Sequence, residues 1–304
     1  MEITNKSLMA YFVLQGFPGG PTLHITLFVL LLLVYLATLA GNFLIIIIIC
    51  TDLRLHSPMY FFLTNMSILE TCGISAISPK LLSILIAENK TIFVTGCHVQ
   101  TFVYFFITSS VFLLLAVMSF DRFLAICHPL RYTVIMQPRV CVLLVCICQI
   151  ISAACILFLI ILISKLPFCD RVLNHFFCDA TAMLKLVCAD ITFFKLTSFI
   201  ISFFILFVPL MITVISYIFI VYTVMKIPTK KGRKKTFSTC VAHMSIVSIV
   251  FGSAILIQIR PTQGYSVERD KAINLGSTVL APLVNPFIYT LRNDQVKKSI
   301  RDAT

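Results

Sequence analysis

Charge is what this chain has least of. Only 12% of its 304 residues are Asp, Glu, Lys or Arg, against 59% hydrophobic, whereas a soluble domain carries roughly 25% charged residues. So few charges cannot cover a water-facing surface, and lipid must be the solvent for most of the chain. Alternation is missing too. A lipid-facing β-barrel needs strands of about 10 residues that alternate apolar and polar, and the runs Leu44–Ile49 and Ile156–Ile163 are apolar throughout. Enzyme signatures are absent: no Gly-x-Ser-x-Gly, no His-Glu-x-x-His and no paired acids within the apolar runs. No repeat relates the two halves, which speaks against a transporter built from duplicated units. The first twenty residues include Glu2, Lys6, Gln15, Pro18, Gly19 and Gly20 and lack the apolar core of a cleavable signal peptide. The first apolar run is expected to act as its own insertion signal.

What the chain does have is apolar length. A span needs about 20 apolar residues. Seven stretches qualify: Leu23–Cys50, Pro58–Ala87, Thr95–Cys127, Val140–Ile163, Phe194–Val224, Thr236–Ile259 and Ala272–Leu291. All are expected to be helical, because backbone polar groups in hydrocarbon must be satisfied within the segment. The predicted fold is an all-α membrane protein, a bundle of seven transmembrane helices. It divides into an outer tail (1–22), the bundle (23–291) and a short inner tail (292–304) carrying a short amphipathic helix.

Basic residues orient the bundle. Arg54, Arg131, Arg139, Lys226, Lys230, Lys231, Arg233, Lys234 and Lys235 crowd one set of loops, and Arg292, Lys297, Lys298 and Arg301 follow in the tail. On the other side Glu2, Glu88, Asp170, Asp179, Asp190, Glu268 and Asp270 offset the basic residues. The dense basic side is cytoplasmic by the positive-inside rule, which puts the N-terminus outside and the C-terminus inside. The net charge of +12 is explained by loops facing anionic membrane lipid, and no nucleic-acid partner is expected.

Eight of the twelve cysteines fall in or near spans and read as small buried hydrophobes. Cys97, Cys169, Cys178 and Cys188 map outside, where an even set reads as two disulfides with three possible pairings. His175, Cys178 and Asp179 together resemble part of a metal site, but a site needs three or four ligands and a bonded Cys178 would be unavailable, so neither metal nor cofactor is expected. Asn5-Lys6-Ser7 is a glycosylation sequon on the outer tail, and Asn89-Lys90-Thr91 is another close to the membrane.

Ionisable groups within spans are costly and mark function by default. Glu70 lies mid-way along the second run, at a depth matching Asn42 in the first and Asn285 in the seventh. They form either a polar switch or sodium site, or a hydrogen-bonded packing network, and the two readings are compatible. Asp121-Arg122 ends the third span, and Pro209 and Pro286 can bend the fifth and seventh.

These positions resemble the rhodopsin-like G-protein-coupled receptors: Gly41-Asn42, Asp121-Arg122-Phe123, Pro209 with Tyr217, and Asn285-Pro286-Phe287-Ile288-Tyr289. Longer stretches are similar to odorant receptors of the tetrapod (class II) type. They are Leu55–Leu63 (LHSPMYFFL), Met118–Tyr132 (MSFDRFLAICHPLRY), Lys235–His243 (KTFSTCVAH) and Pro282–Asn293 (PLVNPFIYTLRN). The resemblance covers nearly the whole chain. It implies a multi-pass plasma-membrane receptor, not an enzyme, with a small-molecule odorant and the olfactory stimulatory G protein as partners. It implies disulfides Cys97–Cys178 and Cys169–Cys188. It also implies that Arg122 is held by Asp121 at rest and engages the G protein when active, with Tyr217, Lys234, Lys235, Asn285, Pro286, Tyr289 and Arg292 in the same switch. The chain departs from the pattern at Phe123, where Tyr is usual, at Glu70, where many relatives carry Asp, and at Phe251 and Gln258, where Tyr is common.

Helical spacing then outlines a pocket in the outer half. Tyr104, Phe105, Thr108, Ser109 and Phe112 share a face of the third helix. Ser202 and Ile205 share one on the fifth, Phe251, Ile255 and Gln258 one on the sixth, and Leu275 and Thr278 lie in the outer half of the seventh. Small-molecule sites have this apolar character with a few polar groups. Tyr104 stands where amine receptors carry Asp, and Val279 where a photoreceptor carries its Schiff-base Lys, so a neutral volatile ligand is expected. The remaining alternatives are a non-olfactory chemoreceptor of the same fold or a multi-span transporter.

Overall fold

In the computed structural model the chain is described over residues 10–87, 90–258, 267–292 and 294–303. Six long apolar helices are each able to cross a membrane: α1 (Pro21–Thr51), α2 (Pro58–Ile86), α3 (Val94–Cys127), α5 (Pro138–Ser164), α7 (Thr192–Met225) and α8 (Lys230–Gln258). The short helices α4 (Pro129–Ile135) and α6 (Ala180–Leu184) lie in the loops before α5 and before α7. The seventh crossing is made in pieces, by α9 (Val267–Leu275), a π-helical turn (Gly276–Leu280) and α10 (Ala281–Arg292), and α11 (Asp294–Ala303) follows it. Proline starts α1, α2, α4 and α5, where its missing N–H costs nothing because that donor has no partner within the helix. Basic residues do not stop α8: it begins at Lys230, six residues before its first long apolar stretch, because a helix end that leaves the bilayer meets water.

The third helix is the axis of the bundle. It packs on α2, α5 and α7 and buries Leu114, Leu115 and Met118 almost completely. By contrast α1 and α5 are apolar all round and leave Leu33, Ile47, Leu143 and Ile150 exposed, as lipid-facing helices do.

At the outer end the chain makes a small sheet that the apolar-run reading does not anticipate. Strand β1 (Tyr11–Leu14) lies between β2 (Thr91–Phe93), antiparallel to it, and β3 (Val172–Leu173), parallel to it. Alternation along β1 buries Phe12 and Leu14 and turns Tyr11 outward, where the Arg171 guanidinium sits 5.5 Å from its ring centre. Part of the outer tail is therefore the central strand of a lid and not a free extension.

At the inner end Asp52 accepts from the Arg54 backbone N–H at 2.9 Å and from its side chain, and Ser299 of α11 also donates to it. Arg54 bridges in turn to Asp302 at 2.8 Å. This latch ties α11 to the turn after α1, and Val296 is buried beneath it.

Two outcomes are expected. A Cβ on Gly41 would stand 3.0 Å from Pro286, whereas Gly252 has open space. Gly41→Val should lower stability by about 1–3 kcal/mol through overpacking of α1 on α10, and Gly252→Ala should not; thermal unfolding of detergent-purified protein compares them. Arg54 and Ser299 hold the Asp52 carboxyl below the usual range. A lowered carboxylate contributes above its unfolded pKa and loses that contribution only as pH falls through the lowered one. Attachment of α11, followed by a fluorophore on its exposed face, should thus be unchanged down to about pH 5.

Candidate functional site

The outer cavity is built on α3. Its roof is the loop after α5, fastened at several points. Cys178 is disulfide-bonded to Cys97 near the start of α3, and Cys169 to Cys188 within the loop. Gln100 accepts from the Cys178 backbone N–H at 3.0 Å and donates to the Ala76 carbonyl at 2.9 Å. Thr101 donates to the Cys178 carbonyl at 2.7 Å. The roof is aromatic: Phe176 stacks on Phe17 at 5.4 Å, and Phe177 meets Tyr104 edge-on at 5.2 Å. From the seventh crossing, Lys271 donates to the Gly16 carbonyl at 2.5 Å and to Asn174 at 2.7 Å, and Asn274 bonds His175 at 3.1 Å. His175 is therefore a joint between roof and bundle, and no cluster of metal ligands occurs among the described residues.

Beneath the roof lies a cavity of about 110 Å³. Of the residues singled out by helical spacing, it brings together Tyr104, Thr108, Phe112 and Thr278. Phe251 stands behind its wall, 5.1 Å from Phe112. Phe105 lies edge-on to Tyr104, Ser109 is buried in α3, and Ile205 is in the core. Ile255 and Leu275 pack against the buried clusters, and Ser202 is half-buried on α7; none of these six touches the cavity. The Gln258 side chain lies outside the described residues. Helical spacing missed Gly73, Ile107, Ser253 and Ser277, which also line it. Extending the face of Glu70 by three and four residues would have found Gly73 and Ile74. The π-helical turn, which carries Ser277 and Thr278 into the cavity, had no such signal.

The cavity floor is polar. Glu70, 5% exposed, accepts from the Asn285 side-chain amide. Asn42 is fully buried beside it and donates to the Thr38 carbonyl at 3.1 Å. The Ser and Thr hydroxyls of the lining are turned back on their own helices. Thr108 donates to Tyr104, Ser253 to Val250, and Ser277 and Thr278 to Asn274. Their hydrogens are engaged and their lone pairs are left over.

A second polar cluster lies at the cytoplasmic end of α3. Arg122 donates to Asp121 Oδ2 at 2.7 Å, and Tyr132 of α4 donates to Asp121 Oδ1 at 2.7 Å. The Tyr132 hydroxyl is held well above its ordinary pKa by burial and by the Asp121 charge. Nearby, the Tyr217 hydroxyl of α7 bonds His243 Nδ1 of α8 at 2.7 Å. Pro286 is buried against Gly41. Tyr132 was visible in its motif without a role, since its partner is eleven residues away. The side chains of Lys234, Lys235, Tyr289 and Arg292 lie outside the described residues, as do Asn5 and Asn89.

Seven membrane crossings, a disulfide-fastened roof over an apolar cavity and an Asp-Arg pair at the inner end of the third helix define a receptor of the G-protein-coupled class. The profile of the olfactory receptor family matches residues 31–303. Olfactory receptor 6J1 of Homo sapiens is 46% identical over 292 residues, covering 96% of this chain and 84% of that one. Olfactory receptor 6S1 of Homo sapiens is 43% identical, covering 96% and 88%, and olfactory receptor 6E1 of Mus musculus 44%, covering 99% and 96%. The chain belongs to the olfactory receptor family, G-protein-coupled receptors of the plasma membrane that sense odorants and are not enzymes.

Gln100→Leu should leave the Cys178 N–H and the Ala76 carbonyl without their partner and cost about 1–3 kcal/mol per orphaned buried group. The expected result is a lower unfolding temperature and faster reduction of Cys97–Cys178 by added thiol.

Proposed function

We propose that this receptor binds a small, neutral, mostly apolar odorant in the outer cavity and activates the olfactory stimulatory G protein, raising cyclic AMP. The observation that carries the reading is the cavity lining. Apolar walls from Ile74, Ile107, Val111 and Phe112 enclose Ser and Thr hydroxyls whose hydrogens are already used. Such a lining accepts hydrogen bonds better than it donates them, which favours an apolar molecule with a single donor, such as an alcohol. Glu70, the acid at the floor, is engaged by Asn285, and α3 offers Tyr104 instead of a carboxylate to pair with a charged amine. At about 110 Å³ the cavity is smaller than the engineered cavities of about 150 Å³ that admit benzene, which confines it to compact ligands.

Activation is a shift of population. An odorant moves the equilibrium by its differential affinity for two arrangements. The cavity touches α3, α8 and the π-helical turn together, so a ligand that prefers another spacing of these elements biases all three. At the inner end the change is an outward swing of α8 that frees Arg122 from Asp121 and opens a cleft beside it. Tyr217 and His243, which tie α7 to α8, must then part or re-pair. Asn285 and Pro286 form the hinge of the seventh crossing.

The test is a cyclic AMP assay in cells against a panel of odorants, with surface expression measured in parallel. Arg122→Ala is expected to abolish the response while the receptor still reaches the surface; an undiminished response would refute the coupling role. Thr108→Val should raise the half-maximal concentration of a responding alcohol about fivefold, the worth of one hydrogen bond of roughly 1 kcal/mol, and leave that of an agonist without a donor unchanged.

A further inference from the structure

Another cavity lies between α7 and α8 in their cytoplasmic halves and measures about 370 Å³, within the range of roughly 300–1,000 Å³ that ligand sites occupy. Its walls are Ile220, Val224, Cys240 and Val241, and Val221 and Met225 at its rim are 51% and 66% exposed. Both helices cross the bilayer, so this rim opens onto hydrocarbon. Two of the polar groups at the wall are already engaged, and the third, Ser248, stands at its exposed edge. Tyr217 is bonded to His243, and Ser245 donates to the Val241 carbonyl at 2.8 Å. What remains to be met is aliphatic surface.

The mouth towards the cytoplasm has a different chemistry. Lys226 ends α7 with its ammonium 4.2 Å above the Tyr222 ring, and Lys230, at the start of α8, is exposed. Arg233 follows one turn on, and no Asp or Glu occurs in the sequence between Asp190 and Glu268. The basic residues thus follow directly on Met225, the last α7 residue of the crevice, and neither helix carries an acidic residue to offset them. We propose that this crevice seats one acyl chain of an anionic phospholipid from the inner leaflet, with the phosphate against Lys226 and Lys230. A chain lodged there packs on α7 and α8 at once and favours the spacing they have here, beside the bond that joins Tyr217 to His243.

The experiment uses the full chain in nanodiscs of phosphatidylcholine containing phosphatidylserine with a photoreactive group in one acyl chain. Labelled peptides are mapped by mass spectrometry. Labelling is expected on 220–225 and 240–248. The same group carried on phosphatidylcholine should label these segments more weakly. Lys226→Gln and Lys230→Gln should each lower phosphatidylserine labelling about fivefold, the value of one basic residue at an anionic surface, and leave phosphatidylcholine labelling unchanged. Ser248→Phe, which places a ring in the crevice from its exposed edge, should lower labelling by both probes. Equal labelling by the two lipids, indifference to the lysine substitutions, or displacement of the label by cholesterol would overturn the proposal.

Discussion

In hydrocarbon a polar group finds its partner inside the protein or goes without one, and this constraint organises the whole molecule. It makes each crossing a helix, because the backbone is then satisfied within the segment. It turns the hydroxyls of Thr38, Thr64, Thr71, Thr108 and Thr278 back onto carbonyls one turn earlier. It also draws polar groups into pairs across helices: Glu70 with Asn285, Ser119 with Thr213, Ser110 with Gln149, Tyr217 with His243. Each pair joins two helices, so the polar residues that a membrane tolerates least are the ones that set how the bundle is assembled.

The same economy separates the two ends. Outside, water is available and the chain uses strands, two disulfides and aromatic packing to roof the bundle. Inside, it uses charge: Asp121 holds Arg122 and Tyr132, and Asp52 holds Arg54 and Ser299. Covalent and apolar fastenings suit a lid that stays closed over a small ligand. Ion pairs and hydrogen bonds near the membrane surface are individually weak and exchange partners readily, which suits a surface that must change shape to meet a G protein.

Much of this was legible in the residues. Apolar runs located the spans α1, α2, α3, α5 and α7 to within about two residues, because the length of a run is set by bilayer thickness. Where the chain leaves the bilayer that control ends. Helix α8 therefore starts earlier than its apolar run, and α4 and α6 carry no apolar run at all. The sheet was invisible for another reason: β1 and β3 are 159 residues apart in register, Val13 opposite Val172 and Leu14 opposite Leu173, and such pairing leaves no local pattern. At the site, helix faces pointed to Tyr104, Thr108, Phe112 and Thr278. They also pointed to Ser202 and Ile205 on α7, which do not touch the cavity, since spacing says which residues share a face but not which neighbour the face meets.

The central position of β1 sets an order of assembly. Its segment is made before every long helix, yet its parallel neighbour β3 lies beyond the fourth of them. Synthesis at about 5–20 residues per second puts roughly ten to thirty seconds between the two. Through that interval Phe12 and Leu14 have no finished roof to enter, and the extracellular face cannot close until more than half of the receptor has been threaded into the membrane.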